Sequence, residues 1–425
     1  MSIILFGVFA ILIILNVPVA VSLGLATLAT IAVTKTVPLM VVAQKMFTAT
    51  DSFPLMAIPF FMIAGSLMEK GGISRRLIRF ANSLVGSLPG GLALVTVMAS
   101  MFFAAISGSS PATVAAIGSI MIPAMVRQGY SLDFATATQA SSGYIGVIIP
   151  PSIPMITYGV VTGASIGSLF MAGFIPGILI GVALMLVAFV VAKKRGYVGE
   201  KRVSLKEVLV SFKDAILALL MPVIILGGIY GGIFTPTEAA NVAVIYGFIV
   251  GFFIYKELEL KDIPEILRTS AISTAMVMLI IATATAFGLL LTREMIPNKI
   301  ANFFISITES KFVLLMLINV LLLVVGTFME TNAAIIILAP IFYPVIMQMG
   351  IDPIHLGVIM VINLAIGMIT PPLGVNLFVA CGLTKLTIER VIRANWIYLF
   401  VSLAVLVLLT YIPGISLWLP KLLQQ

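Results

Sequence analysis

Two short polar segments interrupt long apolar stretches of this sequence, and their side chains are of the types that bind ions. The segment SGSSP (107–111) stands in the middle of the apolar stretch 88–125, and GTFMETN (326–332) stands in the middle of 321–342. Hydroxyl and carboxylate oxygens can coordinate a cation. Free backbone amides at the start of a helix favour an anion. Both segments therefore indicate ion-binding chemistry.

Two proline pairs form a second set of candidate binding residues. The segments IGVIIPP (145–151) and IGMITPP (366–372) lie in apolar surroundings and share five of seven residues. Adjacent prolines remove two amide donors and break a helix. The breaks expose backbone carbonyls, such as those of Gly146, Ile149, Gly367 and Thr370. A bare carbonyl is tolerated in a membrane where it lines a cavity or binds a cation. A packing kink is the alternative, and the duplication argues against it.

Glu330 is the only charged residue in residues 312–351. An ionisable side chain within such an apolar stretch indicates a functional group. The alternative is that its carboxylate caps the following helix through backbone amides. The two roles are compatible, and the sequence leaves both open.

Composition identifies the class of protein that holds these residues. Of the 425 residues, 61% are hydrophobic and 9% are charged, against about 45–50% and about 25% in soluble domains. These fractions exclude a soluble enzyme, a secreted disulfide scaffold, a disordered chain and most nucleic-acid-binding proteins. The single cysteine and single histidine argue against a metal cluster and histidine catalysis. We predict an all-α polytopic membrane protein that is not an enzyme and has no cofactor.

Apolar runs predict about ten transmembrane helices, since a spanning helix needs about 20 apolar residues. The predicted spans are 2–16, 19–34, 53–69, 134–162, 168–192, 216–234, 238–255, 270–292, 356–380 and 395–418. Two further stretches, near 89–126 and 312–348, have polar tips in their middle. We interpret each as a re-entrant helical hairpin. Amphipathic helices are predicted near 73–87 and 296–310.

The same order of elements occurs twice along the chain. An offset of 221 residues superimposes the two proline pairs, and in the two hairpins it also pairs Pro123 with Pro344 and Ala112 with Ala333. We therefore predict two repeats, 1–192 and 216–425, joined by a charged cytoplasmic linker (193–215). Each repeat contains one hairpin and one broken helix, near 134–162 and 356–380. Five spans is an odd number, so the second repeat must be inverted relative to the first.

The distribution of positive charge predicts the orientation of these repeats. With both termini outside the cytoplasm, about three quarters of the 24 lysines and arginines lie on the cytoplasmic side. Broken helices and hairpin tips at matching places in inverted repeats indicate a transport site at the bilayer midplane. No Lys or Arg lies within either hairpin or break. An anion would therefore be held by helix dipoles, hydroxyls or a bound cation.

At these residues the sequence resembles the large membrane subunit of tripartite ATP-independent periplasmic (TRAP) transporters, over essentially the whole chain. The resemblance is carried by GSLMEKGGIS (65–74), AAISGSSPATVAAIG (104–118), GYIGVIIPPSIPMITYG (143–159), GGIFTPTEAA (231–240), GTFMETNAAIIILAPI (326–341) and IGMITPPLGVNLFV (366–379). It implies sodium-coupled uptake of a C4-dicarboxylate or sialic acid across a bacterial inner membrane by an elevator motion. It also implies two partners, a periplasmic binding protein and a separate small four-helix membrane subunit.

The resemblance further implies binding residues. Family sodium sites would fall on Ser107, Ser110, Gly146, Ile149, Gly326, Gly367 and Thr370, and we add the neighbouring Pro150 and Thr327 to the predicted sodium sites. The predicted contacts of the organic acid are Ser109, Thr113, Pro151, Glu330, Asn332 and Pro372. Glu330 stands where the family often has Asp, which is a conservative departure.

Other functions stay open at this stage. A sodium–anion symporter of similar hairpin architecture could work without a binding protein. A passive channel is a further alternative, although paired breaks favour alternating access. A membrane enzyme would need a nucleophile and a base at the same depth, and the sequence offers no obvious pair.

Overall fold

The computed structural model describes residues 1–15, 17–200, 203–308 and 310–423, and all its regular elements are helices. Lys201 and Arg202 of the predicted linker lie outside the described residues. The first half contains α1 (Ser2–Ile14), α2 (Val19–Thr34), α3 (Leu39–Thr50), α4 (Ala57–Lys70), α5 (Ile73–Val85), α6 (Gly91–Ser107), α7 (Ser110–Arg127), α8 (Leu132–Gly143), α9 (Ile153–Thr162) and α10 (Ile166–Lys194). The second half contains α11 (Leu205–Tyr230), α12 (Pro236–Ile249), α13 (Ile263–Arg293), α14 (Ile296–Ile307), α15 (Lys311–Phe328), α16 (Thr331–Gln348), α17 (Pro353–Gly367), α18 (Val375–Thr384), α19 (Ile388–Tyr411) and α20 (Pro413–Leu423).

The helices have the length and surface of membrane helices. Within the described residues, nine are long and apolar enough to cross a membrane, and shorter apolar helices of 10–17 residues accompany them. Large apolar side chains remain exposed on their outer faces, as at Leu186, Val223 and Phe400. Such a surface is suited to lipid. The prediction of an all-α polytopic membrane protein is confirmed.

The two halves contain the same series of elements around the predicted site. In each half an amphipathic helix (α5 or α14) precedes two helices joined at a polar tip (α6–α7 or α15–α16). A helix interrupted at a proline pair then follows, as α8–α9 or α17–α18. Both Pro-Pro peptide bonds are cis. The inverted orientation of the two repeats stays a prediction.

The two tips differ in how tightly they turn. The first reverses at Gly108, which has a φ of 60°, and α6 packs along α7. At the second tip Met329 and Glu330 are both extended. Two extended residues separate the helices, so α15 packs mainly on α17 while α16 packs on α14 and α9.

The structure differs from the sequence prediction at three places away from the tips. Helix α3 was not predicted as an element. The predicted span 395–418 ends at Tyr411, and Pro413 begins a separate helix because proline cannot continue the preceding one. The second part of the predicted linker (193–215) is helical, because α11 begins at Leu205 with a capping box formed by Ser204 and Glu207.

The helices pack as two groups. One group comprises α1–α4 with α11–α13, and the other comprises α6–α10 with α15–α20. The amphipathic α5 packs on α11 of the first group and on α6 of the second. In the same way α14 packs on α13 and on α16. The two hairpin tips and the two helix breaks therefore lie in one group, with α4 and α13 against it.

Candidate functional site

The first hairpin tip is folded onto the first proline pair. The turn between α6 and α7 is made by Gly108 and Ser109. A Cβ at Gly108 would lie 2.9 Å from the carbonyl oxygen of Pro151. The carbonyl of Gly108 accepts a hydrogen bond from the amide of Ile153 at 3.4 Å. The turn and the helix break are therefore in direct contact.

The first break removes the helical donor of one backbone carbonyl at this contact. Pro150 has no amide hydrogen, so the carbonyl of Gly146 loses the donor that a continuous helix would supply. A Cβ at Gly146 would lie 2.4 Å from Thr113 Oγ1 and 2.6 Å from the carbonyl oxygen of Ser109. The start of α7 thus packs on the backbone of the break, and only glycine leaves room for it.

Ser107 and Ser110 of the first tip are buried, and their hydroxyl groups have different partners. Ser107 Oγ lies 3.0 Å from Thr113 Oγ1, within the hairpin. Ser110 Oγ donates to Asn376 Oδ1 of α18 at 2.8 Å. The side-chain amide of Asn376 in turn donates to the carbonyl of Ala140 at 3.2 Å. Ser110 therefore joins the hairpin of the first half to the helix that follows the second break.

The second tip is organised by Glu330. Its carboxylate accepts hydrogen bonds from the amide of Asn332 at 2.9 Å and from that of Ala333 at 3.1 Å. It also accepts one from Asn332 Nδ2 at 2.8 Å. Glu330 is thus the N-cap of α16, which is the capping role considered from the sequence. A carboxylate here also complements the positive end of the helix dipole.

The second tip also reaches across to the other half. Thr157 Oγ1 of α9 donates to Asn332 Oδ1 at 3.0 Å. This contact mirrors the one between Ser110 and Asn376. In both, the start of a hairpin's second helix is bound to the helix that follows the opposite break. The tips and breaks of both halves are therefore brought together by crossed contacts.

Gly326 and Gly367 place the backbones of α15 and α17 in contact. A Cβ at Gly367 would lie 2.4 Å from the carbonyl carbon of Gly326. At the second break the carbonyl of Gly367 accepts from the amide of Thr370 at 3.0 Å. Asn395 Nδ2 donates to the carbonyl of Ile369 at 2.9 Å. At the second break, therefore, the carbonyls of Gly367 and Ile369 both have donors.

The side chains of three further predicted site residues make none of the contacts between tips and breaks described above. The hydroxyl of Thr327 donates to the carbonyl of Val324 in its own helix. That of Thr370 donates to the carbonyl of Ile366. Pro372 is exposed, whereas Pro150, Pro151 and Ile149 are buried. The first break is therefore enclosed, and the second is open on one side.

Sequence reasoning missed several polar residues at this site. Asn376 and Thr157 form the crossed contacts, and no periodicity marks them. Two buried oxygens, Thr331 Oγ1 and Gln139 Oε1, have no hydrogen-bond partner among the described residues. Gln139 Nε2 donates to the carbonyl of Thr113 at 3.1 Å. A polar residue near the start of the helix that follows a proline pair, as Asn376 is in α18, was the available signal.

A cavity of about 250 Å³ opens beside the first tip. Ser107 and Ser109 line it on one side, and α4 and α13 line it on the other. Its remaining hydroxyl-bearing residues are Ser66, Thr269, Ser270 and Ser273. Among the residues that the structure describes, no lysine or arginine lines it, and Glu69 is its one charged lining residue. At Gly65 a Cβ would lie 3.4 Å from the Cα of Ser107, so α4 closely approaches the tip.

We expect Asn376→Ala to destabilise the protein. The change leaves the Ser110 hydroxyl and the Ala140 carbonyl buried without their partner, which costs about 1–3 kcal/mol for each unsatisfied group. The midpoint of thermal unfolding in detergent should therefore fall clearly. Asn298→Ala, on the exposed surface of α14, is the matched control. An equal effect of the two substitutions would contradict the role of Asn376 in holding the tip.

The fold and the site together define the class of protein: a helical membrane transporter with paired hairpins and broken helices. Residues 6–415 match the family model described as "Tripartite ATP-independent periplasmic transporter, DctM component". The chain belongs to this family, and the resemblance seen in the sequence is confirmed.

Relatives agree with this assignment. The chain is 51% identical to "Isethionate TRAP transporter permease protein DctMQ" of Oleidesulfovibrio alaskensis, over 98% of this chain and 66% of that protein. It is 48% identical to "C4-dicarboxylate TRAP transporter large permease protein DctM" of Pseudomonas aeruginosa, over 94% of each. It is 41% identical to "Sialic acid TRAP transporter large permease protein SiaM" of Vibrio cholerae, over 96% and 95%. These relatives are permeases, so the chain is a transport protein and not an enzyme.

Solved structures support the fold. The YdaH transporter of Alcanivorax borkumensis matches with a TM-score of 0.66, over 88% of this chain and 89% of that one, at 16% identity. The efflux pump MtrF of Neisseria gonorrhoeae matches with a TM-score of 0.59 at 15% identity, over 88% and 84%. At these identities the likeness concerns the fold alone.

Proposed function

We propose that this chain is the permease of a sodium-coupled uptake system for a small organic acid in a bacterial inner membrane. Both termini lie in the periplasm in this proposal. The relatives are named for isethionate, C4-dicarboxylates and sialic acid, which are all organic anions. The substrate of this chain belongs to the same chemical class.

One observation carries the proposal: polar tips and helix breaks from both halves meet through crossed contacts. The meeting place is rich in oxygen atoms. It includes the carbonyl of Gly146 and the buried hydroxyl of Thr331, which has no partner in the described chain. Buried oxygens without donors are suited to a hard cation, and sodium is bound through oxygen ligands in this way in transporters with broken helices.

The substrate site in this proposal is the cavity beside Ser107 and Ser109. Its volume of about 250 Å³ suits a small organic molecule. The substrate carboxylate would be held by tip hydroxyls and by the amide end of α7. A bound sodium ion would supply the positive charge that the lining side chains lack. Sodium and anion would therefore bind more tightly together than apart.

The packing of two helix groups supports an elevator motion. The group with both tips would move against α4 and α13, carrying the cavity across the membrane. The amphipathic α5 and α14 each contact both groups, so they would act as the connecting arms. The hydroxyl-lined surface between Ser107 and α4 would be the sliding interface.

Two partners complete the proposed system. A periplasmic binding protein would deliver the organic acid, and a small four-helix membrane subunit would stand beside the permease. The chain covers 66% of the Oleidesulfovibrio relative and 94% of the Pseudomonas one.

The test is uptake in proteoliposomes that contain the permease, its small subunit and its binding protein. One net positive charge moved inward at 100 mV supplies about 2.3 kcal/mol, or about fifty-fold accumulation. Replacing external sodium by choline should reduce uptake to background. Unchanged uptake in choline would contradict sodium coupling. Equal uptake without the binding protein would favour the alternative of a sodium–anion symporter that works without a binding protein.

We expect Ser107→Ala combined with Ser110→Ala to raise the sodium concentration for half-maximal uptake. Removing two hydroxyls takes away candidate ligands while leaving the backbone carbonyls, so we predict a rise of at least about tenfold. Ser119→Ala is the matched control, because its hydroxyl donates within α7 to the carbonyl of Ala116. If the dependence of uptake on sodium concentration is unchanged in the double variant, neither serine hydroxyl is a sodium ligand.

A further inference from the structure

A second cavity lies outside the transport site, on the predicted cytoplasmic side. It has a volume of about 610 Å³ and lies between α5, the first half of α11 and the segment that follows α12, which contributes Ile254, Tyr255 and Glu257. Arg75, Arg76 and Arg79 of α5 line it, together with Lys213 of α11. We call it the basic cavity and define it by these four residues.

Two of the four cations are held by carboxylates. Arg76 Nη1 lies 2.6 Å from Glu257 Oε1, and its guanidinium carbon lies 3.7 Å from the centroid of the Tyr255 ring. Arg79 Nη1 lies 2.9 Å from Asp214 Oδ2. These pairs fix the wall of the cavity and neutralise one positive charge each.

The other two cations remain available. Arg75 contacts the already paired Glu257 at 3.7 Å, and its side chain is 77% exposed. Lys213 forms no ion pair with any residue that the structure describes. Asp214 and Glu257 are the acidic lining residues, so the cavity carries an excess of two positive charges. A ligand bound here must be an anion.

Apolar residues lead from the basic cavity towards the membrane interior. They are spaced three or four residues apart, so that those on one helix share a face. They are Ile216, Leu220 and Val223 on α11, and Ile245, Ile249 and Phe253 on α12 and the turn that extends it. All six are exposed, with Val223 at 63% and Phe253 at 59%. These two sets of three residues form two apolar strips, one on α11 and one on α12, and the basic cavity lies at the predicted cytoplasmic end of both.

We propose that the basic cavity binds the phosphate headgroup of an anionic phospholipid. The acyl chains of the lipid lie along the two apolar strips of α11 and α12. Basic pockets between helices on the cytoplasmic side of a membrane have the charge and position to bind such headgroups. A soluble phosphate could use the cations, whereas the strips add affinity for a lipid alone. Because α5 also packs on α6, the lipid fixes an element that joins both helix groups.

The test measures lipid binding to the purified full-length chain by native mass spectrometry, with cardiolipin, phosphatidylglycerol and phosphatidylcholine as probes. We expect the two anionic lipids to bind and phosphatidylcholine to bind weakly. Arg75→Gln with Lys213→Gln should weaken anionic-lipid binding about 10- to 30-fold, since each basic residue near the membrane surface contributes about a factor of five. Excess inorganic phosphate should displace little lipid.

The matched control is Arg390→Gln with Arg393→Gln, which removes the same charge from exposed positions of α19. An equal loss in both double variants would overturn the proposal, because overall charge would then explain the binding. Full displacement by inorganic phosphate would overturn it in favour of a soluble anion. Lys213→Arg keeps the charge and should retain lipid. Size-exclusion profiles that match wild type would show that all variants are folded.

Discussion

Glu330→Ala is expected to reduce uptake to background while the protein still reaches the membrane. The carboxylate accepts three hydrogen bonds from Asn332 and Ala333. Bonds to a charged group contribute about 1.5–3 kcal/mol each. Asn332 in turn accepts a hydrogen bond from the Thr157 hydroxyl. The substitution therefore removes the charge at the tip, and it also weakens the contact between the two halves. The measurement is initial uptake rate, normalised to the amount of purified complex.

The capping role of Glu330 can be separated from a role in transport. Glu330→Asn keeps a residue that caps helices well but removes the charge. If the charge serves transport, Glu330→Asn loses uptake like Glu330→Ala although its thermal stability stays close to wild type. Thr235→Ala, which removes the cap of α12, is the control for capping alone. Wild-type uptake by Glu330→Asn would show that Glu330 serves only as the N-cap of α16.

Gly146→Ala is expected to be the second most damaging single change. Its Cβ would lie 2.4 Å from Thr113 Oγ1 and 2.6 Å from the carbonyl oxygen of Ser109, distances that real Cβ atoms do not adopt. Because one of these atoms is backbone, the start of α7 must move away from the first break. Overpacking of this kind costs about 1–3 kcal/mol. We expect uptake to fall at least about tenfold, with a higher sodium requirement.

Gly227→Ala is the matched control for the helix backbone. Outside the backbone of its own helix, no atom of the described residues lies within 4 Å of a Cβ at Gly227, and alanine in a helix is favoured over glycine by about 0.5–1 kcal/mol. Gly227→Ala should therefore be stable and active. Sodium-dependent uptake by Gly146→Ala that equals that of Gly227→Ala would contradict the contact between tip and break.

The elements of the site could be predicted because their signals are local. A proline pair breaks a helix wherever it stands, so 145–151 and 366–372 were identified without knowledge of the surroundings. The tip SGSS was identified in the same way, from helix-breaking residues between two apolar arms. Composition alone was sufficient for the helical membrane class.

The contacts within the site could not be predicted from one sequence. Asn376 follows a proline pair, but nothing in its neighbourhood indicates that it meets Ser110, 266 residues away. The same holds for Thr157 and Asn332. Such pairs depend on how the helices pack, which a hydrophobic pattern does not encode when nearly every face is apolar.

The two halves share sequence motifs but differ in the geometry of their tips and in the burial of their proline pairs. Gly108 makes a tight turn because it adopts a positive φ, whereas Met329 and Glu330 open the second tip. The motifs IGVIIPP and IGMITPP are alike, yet Pro151 is buried and Pro372 is exposed. Shared motifs predicted the order of the elements, and the residues between them determined how each half is packed.

The most direct test of the central claim is sodium binding by the purified chain at equilibrium. Thermal unfolding is followed while sodium chloride is exchanged for choline chloride at constant ionic strength. A ligand that binds the folded state stabilises it by about 2.7 kcal/mol at a hundred times its Kd. We predict a saturable rise of the midpoint with sodium in wild type that Ser107→Ala with Ser110→Ala shifts to higher concentration. A wild-type midpoint that is the same in sodium and in choline at every concentration would contradict the account.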